Sequence, residues 1–588
     1  MHLFLTGVLP FLAHNHPSAA AFLTCRHRNF HSSMIPEFLS DEERVELFCE
    51  ARQQNQLRAV KTEQSSKLYT LFIQTPLMQF SSSLVLRQKD CVESILKPLL
   101  AMKYFSRTLQ DCAVKCPLSN GLFECLSQVQ SLTKLDLVWL ESQHLEIIVS
   151  SFPSLDTLTI QYADCLRAQA ISSPPSAITR SLRSLTIRDV EPLFASQFVS
   201  KFPNLETLIL TARAKDHFRS VKEELDLCPL SSSLPLLTDM TLEYFILTDI
   251  GSLKELSRLS LLSINACELP DSSLSFLAQE NSLPRLTTLR IIGDYFRLSN
   301  VSFASLSHAS NLHVLKIKET MFNNSCLKYL NNMIHLRSLD LSESEITGVR
   351  RPMNALMQNL FQLEELNLHF CRIGGQGAIA GALYSTHSRL RVLNLSSCGL
   401  VDGDLKGIGA LKNTLEVLDL GSNLGLTSGG LMHCSNLVKL RKLDLRTCNS
   451  INDLSPLKDC VNLEELDVAI CIRLTDDSFK VFSEEPTSFS NLRMFRVSSG
   501  EKLTGKVLEH LANNHHLVYQ LRDLDVGGMS KILTSSATAR NSLCQLKGLR
   551  RLRGVASRSC LASPVSESDQ NKLKGELMQS LKNLERVD

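Results

Sequence analysis

The chain is poor in aromatic residues, which make up 6% of it with a single Trp, although 44% of its 588 residues are hydrophobic. Its apolar mass is therefore aliphatic, the kind that stacked layers of Leu supply. Glycine and proline are sparse too, at 24 and 19 residues, against a usual combined share of roughly 12%. That scarcity excludes a collagen-like chain and a Pro/Gly-rich disordered one. Neither sign of charge is in surplus, since 62 Lys and Arg face 60 Asp and Glu for a net +2. So near-neutral a sum leaves no global field for nucleic acid or an anionic membrane, and any charge-driven contact has to be local. Also missing is an apolar run of about 18 residues, which argues against a transmembrane helix.

What the chain does have is self-similarity. The frame Leu-x-x-Leu-x-Leu, with some conservative replacements, starts at Leu132, Leu155, Leu182, Leu205, Leu237, Leu259, Leu286 and Leu312. It continues at Leu336, Leu363, Leu390, Leu415, Leu440, Leu463, Leu492 and Leu521. The mean period is about 26 residues, a length typical of stacked repeats rather than of separate domains. Degenerate copies are expected at Leu68/Leu71/Ile73 and Leu99/Met102/Tyr104, and a damaged one at Leu549/Leu552.

Each frame suits an extended strand whose alternate side chains face opposite sides, with Leu418 and Leu420 inward and Val417 and Asp419 outward. A turn follows, then a segment such as Asp476 to Phe482 that fits a helical turn covering the strand. One unit cannot bury its own Leu layer, so stacking is obligatory. The expected fold is an α/β solenoid, curved, with a concave parallel sheet and helices or turns outside.

These frames resemble the leucine-rich repeat superfamily. Cys460-x-x-Leu463-x-x-Leu466-x-Val468-x-x-Cys471 followed by Leu474-Thr475-Asp476-Asp477 is similar to its cysteine-containing subtype, and Cys371, Cys398 and Cys448 occupy the same post-strand turn. The resemblance covers about residues 68 to 588 and implies a binding surface rather than an active site. The expected organisation is a mitochondrial presequence over 1–33, a helical N-terminal cap over 34–67 and degenerate repeats over 68–131. The solenoid proper then runs over 132–530, and 531–588 is a basic C-terminal stretch with terminal cap repeats.

The 18 cysteines read as reduced, because at least five sit at the repeat turn where a small buried thiol fills space. Cys112-x-x-x-Cys116 with Cys125 lacks a fourth ligand at zinc spacing, so no metal or cofactor is expected. The first 36 residues hold no acid but carry Arg26, Arg28 and five His, a composition that resembles a matrix-targeting leader with cleavage after Phe30. Mitochondrial matrix is the expected compartment, with cytoplasm as the alternative. Ser40-Asp41-Glu42-Glu43 forms a capping box and predicts a helix from about Asp41 to Val60.

Two segments imitate nucleotide loops. Gly500 to Val507 nearly spells a phosphate loop, but Val507 stands where a metal-binding Ser or Thr belongs. Gly374-Gly375-Gln376-Gly377 with Gly381 has the glycine density of a dinucleotide loop yet falls in a post-strand turn. Neither is expected to act on a nucleotide, and the chain is read as not an enzyme.

The outward fifth place of the frame is more informative. It reads Asp340, Asn367, Asn394, Asp419, Asp444, Asp467, Arg496 and Asp525, whereas earlier repeats carry Thr159, Thr186, Arg290 and Lys316 there. Strands about 4.8 Å apart set these in a column, an acidic stripe suited to a basic partner. From Val526 to Ser566 no acid occurs, and Arg550, Arg551 and Arg553 lie in the damaged frame. Asp419, Asp444, Asp467, Asp525, Arg550, Arg551 and Arg553 are thus the candidate partner-binding residues. A protein partner is expected on the concave face, and RNA or an acidic protein at the basic stretch. The function that follows is a scaffold or adaptor in a mitochondrial assembly of an RNA-processing or ribosome-associated kind. The alternative is a cytosolic ubiquitin-ligase substrate receptor of the F-box class.

Overall fold

The computed structural model describes residues 83–86, 109–115 and, with short interruptions, 126–587. They belong to two compact units, one of residues 1–269 with 281–285 and the other of 270–280 with 286–588. The expected presequence and N-terminal cap lie outside the described residues, as do the early copies at Leu68 and Leu99.

In the first unit the sheet consists of parallel strands paired in chain order. They are Ser83–Leu86, Asp111–Val114, Lys134–Trp139, Thr157–Tyr162, Ser184–Val190, Thr207–Ala212, Asp239–Glu243 and Leu261–Asn265. The second unit repeats the arrangement through Thr288–Phe296, Val314–Thr320, Ser338–Asp340, Glu365–Asn367, Val392–Asn394 and Val417–Asp419. It ends with Lys442–Asp444, Glu465–Asp467, Met494–Arg496, Asp523–Asp525, Arg551–Arg553 and Arg586–Val587. Every one of the sixteen frames carries a strand that begins two residues after its first Leu, as Lys442 follows Leu440. Leu443 is 2% exposed and Leu445 fully buried, whereas Lys442 is exposed, so the period-2 reading holds.

Strand length changes along the array. Up to Lys316 the frames carry strands of five to nine residues, whether the fifth place holds Asp136 or Thr, Ile, Ser, Arg or Lys, as in Lys134–Trp139, Thr157–Tyr162 and Thr288–Phe296. From Asp340 onward they shrink to three. In most of these short strands an Asp or Asn side chain captures the backbone N–H two residues ahead and turns the chain, although Met494–Arg496 and Arg551–Arg553 are equally short with Arg there. Oδ1 of Asp340 accepts from Ser342 N at 3.0 Å, Asn367 from His369 at 3.0 Å, Asn394 from Ser396 at 2.9 Å and Asp419 from Gly421 at 3.0 Å. Asp444, Asp467 and Asp525 do the same toward Arg446, Ala469 and Gly527. Three residues beyond the captor the backbone is left-handed, at Glu343, Phe370, Ser397, Ser422, Thr447 and Ile470.

The cysteines have a directional role as well as a space-filling one. At the ninth frame position Cys267, Cys371, Cys398, Cys448 and Cys471 each aim their thiol at the carbonyl of the sixth frame residue one repeat earlier. The distances are 3.4 Å to Leu242, 3.2 Å to Leu341, 3.0 Å to Leu368, 3.2 Å to Leu420 and 3.1 Å to Leu445. Ser344 makes the same bond to Ile317, and Asn423 to Leu395. Any small donor at this position gives that carbonyl a hydrogen bond, in the longer strands as in the short ones. Short helices and 3-10 turns complete the repeats, with Arg350–Asn359 packed beside Ala378–Tyr384 and Lys506–Asn513 beside Ala537–Gln545. Among the described residues no helix is long and apolar enough to cross a membrane.

Candidate functional site

The ladder register sets the fifth residues in one column. Asp340 faces Asn367, then Asn394, Asp419, Asp444, Asp467, Arg496, Asp525 and Arg553 in turn. The turn bond explains why Asp or Asn stands there. It does not explain the charge, because Asn367 and Asn394 form it as well as their acidic neighbours.

Much of that charge is answered within the column. Arg446 reaches Asp444 Oδ2 at 2.6 Å and Asp467 Oδ2 at 3.6 Å, while Arg496 Nη1 meets Asp467 Oδ2 at 3.1 Å. Asp340, Asp419 and Asp525 have no ion pair among the described residues. Burial pushes the Asp419 carboxyl above its ordinary range, and the Asp444 carboxylate adds to this. Asp467, only 7% exposed, is raised chiefly by burial too. The column therefore carries more negative charge than its turns need, and Asp419, midway along it, is one of the three acids that no ion pair answers among the described residues.

The basic end is less open than the sequence suggests. Arg550 stands 3.8 Å from Glu585, and Arg553 Nη2 bonds the buried Asp523 at 2.8 Å. Arg551 is exposed, with no ion-pair partner among the described residues. Arg551 and Arg553 flank the buried Leu552, so both face the same side as the acidic column. Arg558 lies outside the described residues.

Both nucleotide-loop imitations are occupied by the protein's own carboxylates. Asp404, fully buried, accepts from Gly375 N at 2.7 Å, Gly377 N at 2.9 Å and Val401 N at 3.0 Å. Gly375 and Gly377 are left-handed, which is why glycine is needed to aim those N–H groups at the carboxylate. In the other segment Asp476 takes Thr504 N at 2.8 Å and its hydroxyl at 2.6 Å. Asp402 holds Thr427, and Asp271 holds Ser299, in the same way. A Cβ on Gly505 would come within 2.6 Å of the Ala539 Cβ, so its glycine serves helix packing. Gly500 and Glu501 lie outside the described residues. With the Gly375, Gly377 and Thr504 N–H groups already held by carboxylates, the purified protein should hydrolyse neither ATP nor GTP. Turnover that disappears in Lys506→Ala, measured by phosphate release, would contradict this.

Sequence reasoning overlooked the residues that connect one repeat to the next. Ser344 and Asn423 as members of the thiol ladder, and Arg446 as the bridge between two aspartates, were visible only as fixed frame positions. The Ile317 and Leu395 carbonyls and the Asp467 carboxylate that they meet lie roughly one period away, so no local motif marks them. One period-long interval also links Asp476 to Thr504 and Asp402 to Thr427.

A Leu layer with one strand per period, and a side-chain donor at one frame position reaching the preceding repeat, decide the architecture. The chain has a leucine-rich repeat fold. No family model matches it. It is 26% identical over 292 residues to an Arabidopsis thaliana protein described as a disease resistance protein, a match covering 43% of this chain. The matched part spans 30% of that relative's length. Among solved structures it is similar to an internalin of Listeria monocytogenes, with 20% identity and a TM-score of 0.41 over 58% of this chain and 85% of that one. A leucine-rich repeat protein of Leptospira interrogans gives 17% identity and a TM-score of 0.38 over 80% and 92% of the two chains. The TLR13–ssRNA13 complex gives 15% and 0.44 over 80% and 74%. At such identities and scores none of them assigns a function to this repeat protein.

Proposed function

We propose that this leucine-rich repeat protein is a non-enzymatic adaptor that seats a basic protein segment on the outward face of its sheet, centred on Asp419. The observation that carries the reading is the surplus of charge in a column where asparagine would make the same turns. Closely spaced carboxylates repel one another, and a cationic partner relieves that cost. The acid-free leader supports placing this adaptor in the mitochondrial matrix, within an RNA-processing or ribosome-associated assembly. The basic end around Arg550, Arg551 and Arg553 supplies a separate contact for an anionic component. The alternative, a ubiquitin-ligase receptor, leaned on the cysteines, and these are accounted for by the hydrogen-bond ladder whichever partner is bound.

The test is affinity purification of the full chain from whole-cell extract, comparing wild type with Asp419→Asn, Asp444→Asn and Asp467→Asn combined. Asparagine keeps every turn bond, so the variant should fold as wild type does and melt within a few degrees of it. It should lose at least about 90% of one basic partner, roughly 1.4 kcal/mol or more of binding. Undiminished recovery would refute the reading, and adaptor–cullin subunits in its place would favour the alternative.

A further inference from the structure

A second column runs along the strand starts. The second frame residues are Arg337, Glu364, Arg391, Glu416, Arg441, Glu464 and Arg493, in strict alternation. Neighbours pair, with Arg337–Glu364 at 3.5 Å, Arg391–Glu416 at 3.0 Å and Arg441–Glu464 at 2.9 Å. Alternation is the arrangement that adjacent strands favour, because like charges directly opposite one another destabilise the ladder. After Arg493 the pattern fails, for the next two members are Arg522 and Arg550, and only Glu585 restores it. The backbone N–H of Arg522 donates to the Arg493 carbonyl at 2.8 Å, and that of Arg550 to the Arg522 carbonyl at 2.8 Å. Three guanidinium side chains thus leave successive rungs.

Together with the exposed Arg551, and with Asp523 and Glu585 beside them, they line a recess of about 520 Å³. Asp523 Oδ2 is held by Arg553 at 2.8 Å and Glu585 lies 3.8 Å from Arg550, while the buried Asp523 Oδ1 has no hydrogen-bond partner. Arg522 is held in place by donating Nη1 to the Gly548 carbonyl at 2.9 Å. Arg493 and Arg551 have no ion-pair partner among the described residues, so the recess keeps a net positive charge. We propose that it binds the dianionic phosphate of a phosphomonoester, either a free small compound or a phosphorylated residue of a partner. Arginine forks match phosphate oxygens in pairs, and several converging on one dianion is the arrangement that uses the charge fully. No aromatic ring lines the recess, so it lacks the stacking surface that single-stranded nucleic acid binding employs. The proposal sharpens the reading of the basic end, adding Arg493 and Arg522 to Arg550 and Arg551, and is independent of what binds at Asp419.

The test is calorimetric titration of the purified full chain with inorganic phosphate, against chloride at matched ionic strength. The same titration is run with a phosphoserine peptide, its unphosphorylated form and a single-stranded RNA oligonucleotide. Saturable phosphate binding is expected, weakened at least tenfold by Arg493→Gln with Arg551→Gln and unchanged by Lys439→Gln on an exposed lysine elsewhere. A phosphopeptide that binds more than tenfold tighter than phosphate identifies a phosphorylated partner, and comparable binding identifies a small compound. Phosphate no better than chloride, an unaffected double variant, or RNA preferred over both phosphate forms would each overturn the proposal. None of those failures touches the sheet-face reading, which the asparagine variant tests separately.

Discussion

Leu443→Asp should unfold the repeats around it while leaving the exposed-site control Lys442→Asp close to wild type. Leu443 is 2% exposed and stands in register between Leu418 and Leu466. A carboxylate placed there finds no donor in the Leu layer, and burying it uncompensated costs several kcal/mol. In a stacked array stability is the sum of repeat and nearest-neighbour terms, so the loss falls first on the adjoining repeats. Amide hydrogen exchange should accelerate strongly from about Leu390 to Arg496 and much less in the strands Lys134–Trp139 and Thr157–Tyr162. Lys442 is exposed on the outward face, and its ion pair with Glu465 at 2.7 Å is of the surface kind, worth at most about 1 kcal/mol. Wild-type exchange in Leu443→Asp would mean that the residue is not part of the core.

Stability should also fall steeply above pH 9, and a four-fold cysteine-to-serine variant should remove roughly half of that fall. Burial raises the Cys371 thiol to about 11 and the Cys398, Cys448 and Cys471 thiols to about 12, from an ordinary value of 9.0. Between pH 9 and pH 11 to 12 the unfolded chain loses thiol protons that the folded chain retains. The folded state then binds more protons, so stability decreases as pH rises through this window and is unaffected by these groups below it. At pH 10 each thiol accounts for about 1.4 kcal/mol. Serine carries a donor that does not titrate in this range, and Ser344 already makes the equivalent bond at 3.1 Å. Urea unfolding at pH 8 and pH 10 should therefore show roughly half the wild-type difference in Cys371→Ser, Cys398→Ser, Cys448→Ser and Cys471→Ser combined, because the buried Cys112, Cys267, Cys434 and Cys460 thiols, raised in the same way, remain. Equal pH dependence in the two proteins would show that the thiols ionise without unfolding.

The solenoid was legible because one physical constraint, an inward Leu at every second strand position, recurs with a fixed period. Where a frame departs from Leu it went unseen: Leu109-x-x-Cys112-x-Val114 carries the strand Asp111–Val114, and Leu584-x-x-Val587 carries Arg586–Val587. The acidic column was legible as a pattern, since identical frame positions must align once strands pair in register. Its chemistry was only half legible. The turn bonds of Asp419 and Asn394 depend on a two-residue offset that any sequence shows, but the neutralisation of Asp467 depends on Arg446 and Arg496, which lie in the preceding and following repeats. The same holds for Asp404, whose carboxylate is consumed by glycine N–H groups of the preceding repeat. Residues that imitate a nucleotide loop in one dimension are, in three, donors to a neighbour's side chain.

Photo-crosslinking in cells tests the central claim most directly, that partners are held on the sheet face near Asp419. A crosslinking amino acid at Val417 lies on the outward face two residues before Asp419, whereas one at Met432, 59% exposed, lies on the helical side of its repeat. The account predicts a discrete partner adduct from Val417, lost when Asp419, Asp444 and Asp467 are changed to Asn, and no such adduct from Met432. Adducts from Met432 alone, or from Val417 regardless of the three aspartates, would contradict it.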